Sequence, residues 1–172
     1  LVKNNILCKE KVEVYRLEDE VYSFKKNELT SLQKECLNKI LNTDKMVSLL
    51  YGVTGSGKTE VYMELIANYL NKGFSSIMLV PEISLTPQMI KRFKERFGNN
   101  IALLHSALSD GERYDEYRKI MHDEVKIVLG ARSALFAPIK NLGLIIIDEE
   151  QSDSYKQDNN PRYNAKDIAL YR

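Results

Sequence analysis

The stretch Gly52-Val53-Thr54-Gly55-Ser56-Gly57-Lys58-Thr59 fits the pattern G-x-x-x-x-G-K-[S/T] of a phosphate-binding loop. An apolar run at 46–51 precedes it and an amphipathic stretch at 59–72 follows it, so the motif stands between a predicted strand and a predicted helix. In this setting the glycines let successive backbone N–H groups point at phosphate oxygens, and the helix N-terminus adds partial positive charge. A glycine-rich turn with an incidental lysine would not have to lie between a strand and a helix. The stretch therefore predicts a nucleotide-binding α/β fold.

Two side chains of the loop have distinct expected roles. Lys58 would reach the β and γ phosphates, and the Thr59 hydroxyl would ligate Mg²⁺. The residues predicted to bind ATP in this loop are Gly52, Val53, Thr54, Gly55, Ser56, Gly57, Lys58 and Thr59. Ser56 is not predicted to be a hydrolase nucleophile, because Thr54 breaks the pattern G-x-S-x-G.

Apolar runs alternate with amphipathic stretches from about Lys45 onward, which is typical of βαβ units around a parallel sheet. Strands are predicted at 46–51, 76–80, 101–104, 126–129 and 143–147, and helices at 59–72 and 86–97. A third helix is predicted after Ser109, which forms a capping-box pattern with Glu112. The run at 144–147 is continuously apolar, as expected of a central strand covered on both faces. The predicted fold class is α/β, a mostly parallel sheet flanked by helices.

An acidic cluster, Asp148-Glu149-Glu150-Gln151, follows the last predicted strand. Ligands of open α/β sheets bind at the carboxyl ends of the strands, so this cluster and the phosphate loop are expected to meet at one site. We assign Asp148 to Mg²⁺ and Glu149 to the general base that polarises the attacking water. Taken alone, such a cluster more often forms a solvated turn. Its combination with the phosphate loop favours an NTPase that activates water.

Composition and charge exclude several classes of protein. The chain has 172 residues and an ordinary apolar fraction of 44%, while its formal charge of +1 argues neither for nor against nucleic acid. Cys8 and Cys36 stand far apart without a C-x-x-C pattern, so neither a zinc site nor a disulfide is predicted in this chain. No apolar run approaches the roughly 20 residues of a membrane span, and we expect a cytoplasmic protein with no membrane contact. The chain starts at Leu1 and stops at Arg172 within a predicted helix, which indicates a piece of a longer protein.

Further segments of the chain are recognisable in order and spacing. They are residues 50–62, 80–88, 104–106 leading to 109–113, 130–138, 148–151 and 154–157. Together they resemble the superfamily 2 helicases and, within them, the primosomal replication-restart helicases. The phosphate loop alone fits many families, whereas residues 81–88 and 132–138 are much narrower signals. The resemblance implies a RecA-like helicase ATP-binding lobe at 29–172, with 1–28 a linker or the tail of a preceding DNA-binding domain.

The resemblance also implies that this lobe closes on a second motor lobe over ATP, while single-stranded DNA runs across both. The residues then expected to contact DNA are Pro81, Thr86, Gln88, Arg132, Ser133, Tyr155, Lys156, Arg162 and Tyr163. Hydroxyl and cationic side chains suit phosphates, and aromatic rings suit stacked bases. Two other interpretations stay open: the prolines frame a turn and a helix start, and 152–163 is a polar surface loop.

Two glutamines occupy informative positions. Gln151 stands where the family usually has a histidine that couples the γ-phosphate to the DNA-binding loops, so we count it among the catalytic residues with Glu149 and Lys58. Glutamine still donates and accepts hydrogen bonds, so coupling of altered strength is expected. Gln33 resembles the family's adenine-contacting glutamine, but it also forms a capping box with Thr30. Both interpretations of Gln33 stay open here.

The family resemblance implies that the parent protein is a DNA-dependent ATPase and 3′-to-5′ helicase of replication restart. Its implied partners are forked or single-stranded DNA, other primosome proteins and single-strand-binding protein, and zinc is expected in the parent but not in this chain. The second lobe would supply an arginine finger worth about 10³ to 10⁵ in rate, so this lobe alone is expected to be weakly active. The alternatives are a nucleotide-dependent DNA- or replisome-binding module without productive hydrolysis, and another superfamily 2 translocase.

Overall fold

A computed structural model of the chain describes residues 14–16, 27–53 and 55–172. Its centre is a four-stranded parallel sheet in the order β2-β3-β1-β4. The strands are β1 (Ser75–Leu79), β2 (Ile101–Leu104), β3 (Ile127–Gly130) and β4 (Leu142–Ile147). The helices are α1 (Ser31–Leu41), α2 (Lys58–Asn71), α3 (Pro87–Phe97), α4 (Asp110–Met121) and α5 (Ala165–Tyr171). A short antiparallel pair, β5 (Lys156–Gln157) with β6 (Tyr163–Asn164), lies outside this sheet.

The starts of the helices follow local capping chemistry. Ser109 caps α4 and forms the predicted capping box with Glu112, since the Ser109 hydroxyl accepts from the Glu112 amide and the Glu112 carboxylate accepts from the Ser109 amide. Thr86 caps α3 by accepting from the Met89 amide, and a proline follows it at the first helical position. These helix starts therefore depend on contacts within three residues of the cap.

The sheet is covered on both faces. Alternate residues of β1 point to opposite sides, so Met78 packs with α2 and α3 while Ile77 packs with α4 and the residues after β3. Every residue of β1 is buried, as expected for a strand inside a sheet. The predicted parallel sheet flanked by helices is therefore confirmed, and four of the predicted strands match β1 to β4 within one residue at either end.

The segment before the phosphate loop departs from the prediction. Residues 46–51 form no strand, and Met46 and Tyr51 are 90% and 93% exposed. The predicted central position of the last strand is also wrong, because β4 lies at the edge of the sheet and only Ile146 in it is buried. A strand needs a neighbour to satisfy its backbone groups. Within the described residues, β4 pairs on one side only, with β1.

Residues 14–16 lie against α4. The Arg16 backbone amide and Nη1 both donate to Asp115 Oδ2, at 3.0 and 2.8 Å, and the Asp115 side chain is buried. Gly111 leaves room for this contact, because a Cβ at that position would lie 2.8 Å from Arg16 Nε. The Arg16 backbone amide, and then its guanidinium, hold the pKa of Asp115 below its usual range despite burial. The Arg16–Asp115 contact therefore joins this segment to α4.

Most of the predicted linker or tail at 1–28 lies outside the described residues, as does Cys8, and the boundary at 29 stays a prediction. In the described part of the chain Cys36 is a free thiol. None of the helices there is long and apolar enough to cross a membrane.

Substituting Arg16→Ala is expected to lower the urea midpoint of unfolding at neutral pH, because Asp115 loses a guanidinium partner. The pKa of Asp115 is depressed in the folded chain, so this stabilisation is present above the ordinary carboxyl pKa of about 4. It is lost as the pH falls through the depressed value, and the two midpoints should then converge. Urea titrations from pH 7 down to the acid limit of folding measure this.

Arg113→Ala is the matched control, since Arg113 only approaches the fully exposed Asp110 at 3.9 Å on the surface of the same helix. An equal loss of stability in both variants, or a loss that does not depend on pH, would contradict the proposed role of the Arg16–Asp115 contact.

Candidate nucleotide-binding site

The phosphate loop is shaped by two glycines in the left-handed region. Gly55 and Gly57 both have φ of 81°, which a residue with a Cβ rarely adopts. Gly57 is the N-cap of α2, which begins at Lys58 directly after the loop. The free N–H groups of the first helical turn are therefore at the loop, where an anion is favoured. Thr54 lies outside the described residues.

Lys58 lies over the loop that it is predicted to serve. Its Nζ donates to the carbonyl oxygens of Gly52 at 2.6 Å and Val53 at 3.1 Å. These neutral acceptors hold the ammonium beside the loop, and a phosphate oxygen would be a stronger acceptor for the same donor. Thr59 is half-buried in the first turn of α2, adjacent to Lys58.

Gln33 connects α1 to the phosphate loop. The capping box with Thr30 is present, with the Gln33 Oε1 accepting from the Thr30 amide at 2.9 Å. The other end of the same amide group, Nε2, donates to the carbonyl oxygens of Ser56 and Gly57 at 3.3 Å each. The capping role is confirmed, and contact with adenine stays a prediction.

The acidic cluster and the phosphate-loop helix are joined by one hydrogen bond. The Tyr62 hydroxyl, in the second turn of α2, donates to Asp148 Oδ1 at 3.2 Å. The Asp148 backbone amide in turn donates to the Leu79 carbonyl at 2.9 Å, at the end of β1. Burial, and then the negative charge of Asp148, raise the pKa of the Tyr62 phenol, so the hydroxyl keeps its proton. The two motifs therefore lie side by side, as expected.

Sequence reasoning missed Tyr62. In the sequence it is one residue of the predicted helix at 59–72, with no role of its own. The available signal was its spacing, because a residue four positions after Lys58 lies on the same face of a helix that starts at the phosphate loop.

Glu149, the predicted general base, has an unusual backbone. Its φ is 47°, in the left-handed region, and its backbone amide donates to Asp148 Oδ1 at 3.1 Å. Its side chain and that of Gln151 are exposed, whereas Glu150 pairs with Lys166 at 3.0 Å. Residues other than glycine that adopt this backbone conformation are concentrated at functional sites. The turn at Glu149 leaves its carboxylate accessible to solvent and to a ligand.

The donor set at this site fits Mg²⁺. This ion takes one or two protein oxygens and keeps most of its waters, and Thr59 and Asp148 supply a hydroxyl and a carboxylate of the required kind. Across the residues that the structure describes, no group of three or more His, Cys, Asp and Glu side chains is placed to hold a metal. A site that uses few protein ligands is consistent with that finding.

Tyr155 corrects one of the predicted DNA contacts. The residue is only 1% exposed, and its ring packs in the core beside α4 and α5. Its hydroxyl donates to the Asp148 carbonyl at 2.5 Å and lies 3.2 Å from the Leu79 carbonyl. A ring buried in this way cannot stack on a base, so the prediction for Tyr155 is wrong. Pro81 is also buried, but it lines the cleft described below, and its contact with DNA stays a prediction.

Arg132 connects two of the segments predicted to face DNA. Its Nη1 donates to the carbonyl oxygens of Ser154 at 3.0 Å and Lys156 at 2.5 Å, on either side of Tyr155. Its guanidinium lies 5.6 Å from the centre of the Tyr163 ring, which packs edge-on against Phe136 at 5.1 Å. Arg132 therefore fixes the loop after the acidic cluster, and direct contact with DNA stays a prediction.

A cleft of about 360 Å³ lies beside these segments. Its walls include Glu82, Ile83, Arg132, Ser133, Ser154 and Tyr163. The other predicted DNA contacts, Thr86, Gln88, Lys156 and Arg162, are exposed, and the Thr86 hydroxyl also caps α3. The predicted DNA-facing segments are thus neighbours around one cleft, where Ser133 is exposed and Arg132 and Tyr163 are half-buried.

Residues 30–167 match the model of the DEAD/DEAH box helicase family. The chain is 53% identical over its whole length to the replication restart protein PriA of Bacillus subtilis, and 50% identical over 84% of its length to PriA of Synechocystis. The UvsW helicase of bacteriophage T4 matches 80% of the chain, and the chain covers 48% of it, with a TM-score of 0.58 and 22% identity.

The likeness to UvsW supports the RecA-like helicase fold and nothing finer. The chain spans about a fifth of the two PriA proteins, 22% of one and 18% of the other.

Substituting Gly57→Ala is expected to weaken binding of a fluorescent ATP analogue by about five- to tenfold, because the new Cβ would lie 2.3 Å from Gln33 Nε2 and displace its two hydrogen bonds. Gly73→Ala is the matched control, since Gly73 has a similar φ of 84° with no atom near the added Cβ. Both variants should lose about 1 kcal/mol of stability through backbone strain. Equal nucleotide binding in the two variants would contradict the role of the Gln33 contact.

Proposed function

Because the chain belongs to the DEAD/DEAH box helicase family, we propose that it is the first motor lobe of a DNA-dependent ATPase acting as a 3′-to-5′ helicase in replication restart. The observation that carries this proposal is the junction of the phosphate-loop helix with the acidic cluster through Tyr62 and Asp148. The similarity to the two PriA proteins supports the choice of replication restart among helicase functions.

The proposed chemistry is in-line attack of water on the γ-phosphorus of ATP, which forms a bond from the water oxygen to phosphorus and breaks the bond to the β–γ bridging oxygen, with ADP as the leaving group. Lys58 and the first N–H groups of α2 would offset the charge of the phosphates, and Thr59 and Asp148 would hold Mg²⁺. The bound ion would supply positive charge that offsets the negative charge developing on the phosphates. Glu149 would accept a proton from the attacking water, and its exposed position beside Asp148 suits that role.

The proposed link between ATP and DNA uses the contacts around Tyr155. Its hydroxyl bonds to the Asp148 carbonyl, and Arg132 bonds to the carbonyls on either side of it in the chain. A shift of the acidic cluster on nucleotide binding would therefore be transmitted to the loop at 152–157. Gln151 is exposed next to this contact and would sense the γ-phosphate in place of the usual histidine.

The remaining expectations concern the parent protein. The second motor lobe, forked or single-stranded DNA, primosome proteins and single-strand-binding protein are its proposed partners, and zinc its proposed second metal. A cytoplasmic location belongs to the same proposal, as does the assignment of 29–172 to the lobe. The chain spans about a fifth of its PriA relatives, which is consistent with a parent that carries these further parts.

Substituting Glu149→Gln in the full-length parent protein should leave ATP binding within about twofold and reduce fork-stimulated hydrolysis and unwinding by about 10² or more, since a general base contributes 10² to 10⁴ in rate. Glu150→Gln is the matched control, because this neighbouring carboxylate is paired with Lys166 at 3.0 Å. Phosphate release and strand displacement on a model fork measure the two activities.

The outcomes separate the proposal from its alternatives. Unwinding that persists in Glu149→Gln would contradict the assignment of the motor site. A wild-type parent that binds ATP and DNA without hydrolysis would be a nucleotide-dependent binding module instead. A preference for four-way junctions over forks would indicate another superfamily 2 translocase.

A further inference from the structure

Tyr62 has a position that neither the phosphate loop nor the acidic cluster explains. It belongs to the same buried core cluster as Leu65 and Ile66 of its helix, and the residue is only 7% exposed. Its hydroxyl nevertheless reaches the edge of that core and donates to Asp148 Oδ1. A phenylalanine would fill the same core volume, so the hydroxyl is the part of this side chain that needs an explanation.

The backbone fixes both ends of this hydrogen bond. Tyr62 lies one turn after Lys58 and Thr59 on α2, so its distance from the phosphate loop is set by the helix. Asp148 is fixed by two hydrogen bonds: its backbone amide donates to the Leu79 carbonyl, and its own carbonyl accepts from the Tyr155 hydroxyl. The Tyr62 hydroxyl and the Glu149 amide both bond to Oδ1, which sets the rotation of the carboxylate.

We propose that Tyr62 is a positioning residue for the Mg²⁺ site. The Tyr62 hydroxyl orients the Asp148 carboxylate so that the second carboxylate oxygen is available to the water molecules bound to the ion. This inference rests on the proposed function, since it assigns Asp148 to the metal. Mg²⁺ demands near-ideal octahedral geometry, so a carboxylate that rotates freely would hold it less well. Partners that orient metal-binding carboxylates are worth about 10- to 100-fold in metal affinity.

A purely structural role predicts a different behaviour. If the hydroxyl only satisfies its own hydrogen-bonding need at the edge of the core, its removal changes stability and leaves the Mg²⁺ requirement unchanged. Metal dependence of nucleotide binding therefore distinguishes the two roles without any measurement of turnover.

The test is equilibrium binding of a fluorescent, non-hydrolysable ATP analogue to the full-length parent protein, titrated with MgCl₂ and repeated in EDTA. Tyr62→Phe should raise the Mg²⁺ concentration for half-maximal binding about 10-fold. Affinity in EDTA should stay within about twofold, which also verifies that the protein being measured is folded. Tyr69→Phe is the matched control, because Tyr69 is on the same helix and its ring packs against Phe74.

A double variant adds a second, independent test. In an Asp148→Asn background, adding Tyr62→Phe should raise the Mg²⁺ requirement no further, because the carboxylate through which it acts is gone. An unchanged Mg²⁺ requirement in Tyr62→Phe, an equal loss of affinity in EDTA, or a full further loss in the Asp148→Asn background would each overturn the inference. A wild-type parent whose nucleotide binding does not respond to Mg²⁺ would instead contradict the proposed function.

Discussion

The pairing of β1 with β4 extends one residue past the end of β4, where the Asp148 amide donates to the Leu79 carbonyl. That bond places the acidic cluster at the carboxyl edge of the sheet, where ligands of open α/β folds bind. The Tyr155 hydroxyl then lies between the carbonyls of the same two residues. Backbone groups at the ends of two neighbouring strands, and not a side-chain ion pair, therefore define the centre of the site.

Around this centre the polar contacts form a connected set. Tyr62 reaches Asp148 from the helix that starts at the phosphate loop, Gln33 reaches the same loop from α1, and Arg132 holds the loop after the acidic cluster. Each of these side chains bonds to a backbone carbonyl or to a carboxylate at a junction between elements. In the proposed function, this chain of bonds is the route by which nucleotide would alter the cleft lined by Arg132 and Ser133.

Local sequence patterns predicted the features whose causes are local. The capping boxes at Thr30 and Ser109 involve residues three positions apart, and the left-handed turns at Gly55 and Gly57 need only the absence of a Cβ. Four strands are recognisable because the buried strands of a parallel sheet are short apolar runs, which a short window of sequence shows. The edge position of β4 and the exposed segment at 46–51 were not, because strand order depends on which distant backbone supplies a neighbour.

The sequence by itself determined the parallel α/β fold, the phosphate loop with Lys58 and Thr59, and the chemistry available to Asp148 and Glu149, since each depends on residue type and close spacing. Only the tertiary structure decided what the aromatic and cationic residues do. Tyr155 is a buried link instead of a stacking platform, and Tyr62 is a partner of Asp148 86 positions away in the chain. The sequence shows that a tyrosine has a ring and a hydroxyl. Only packing across the sheet decides whether the ring is buried and which atom the hydroxyl contacts.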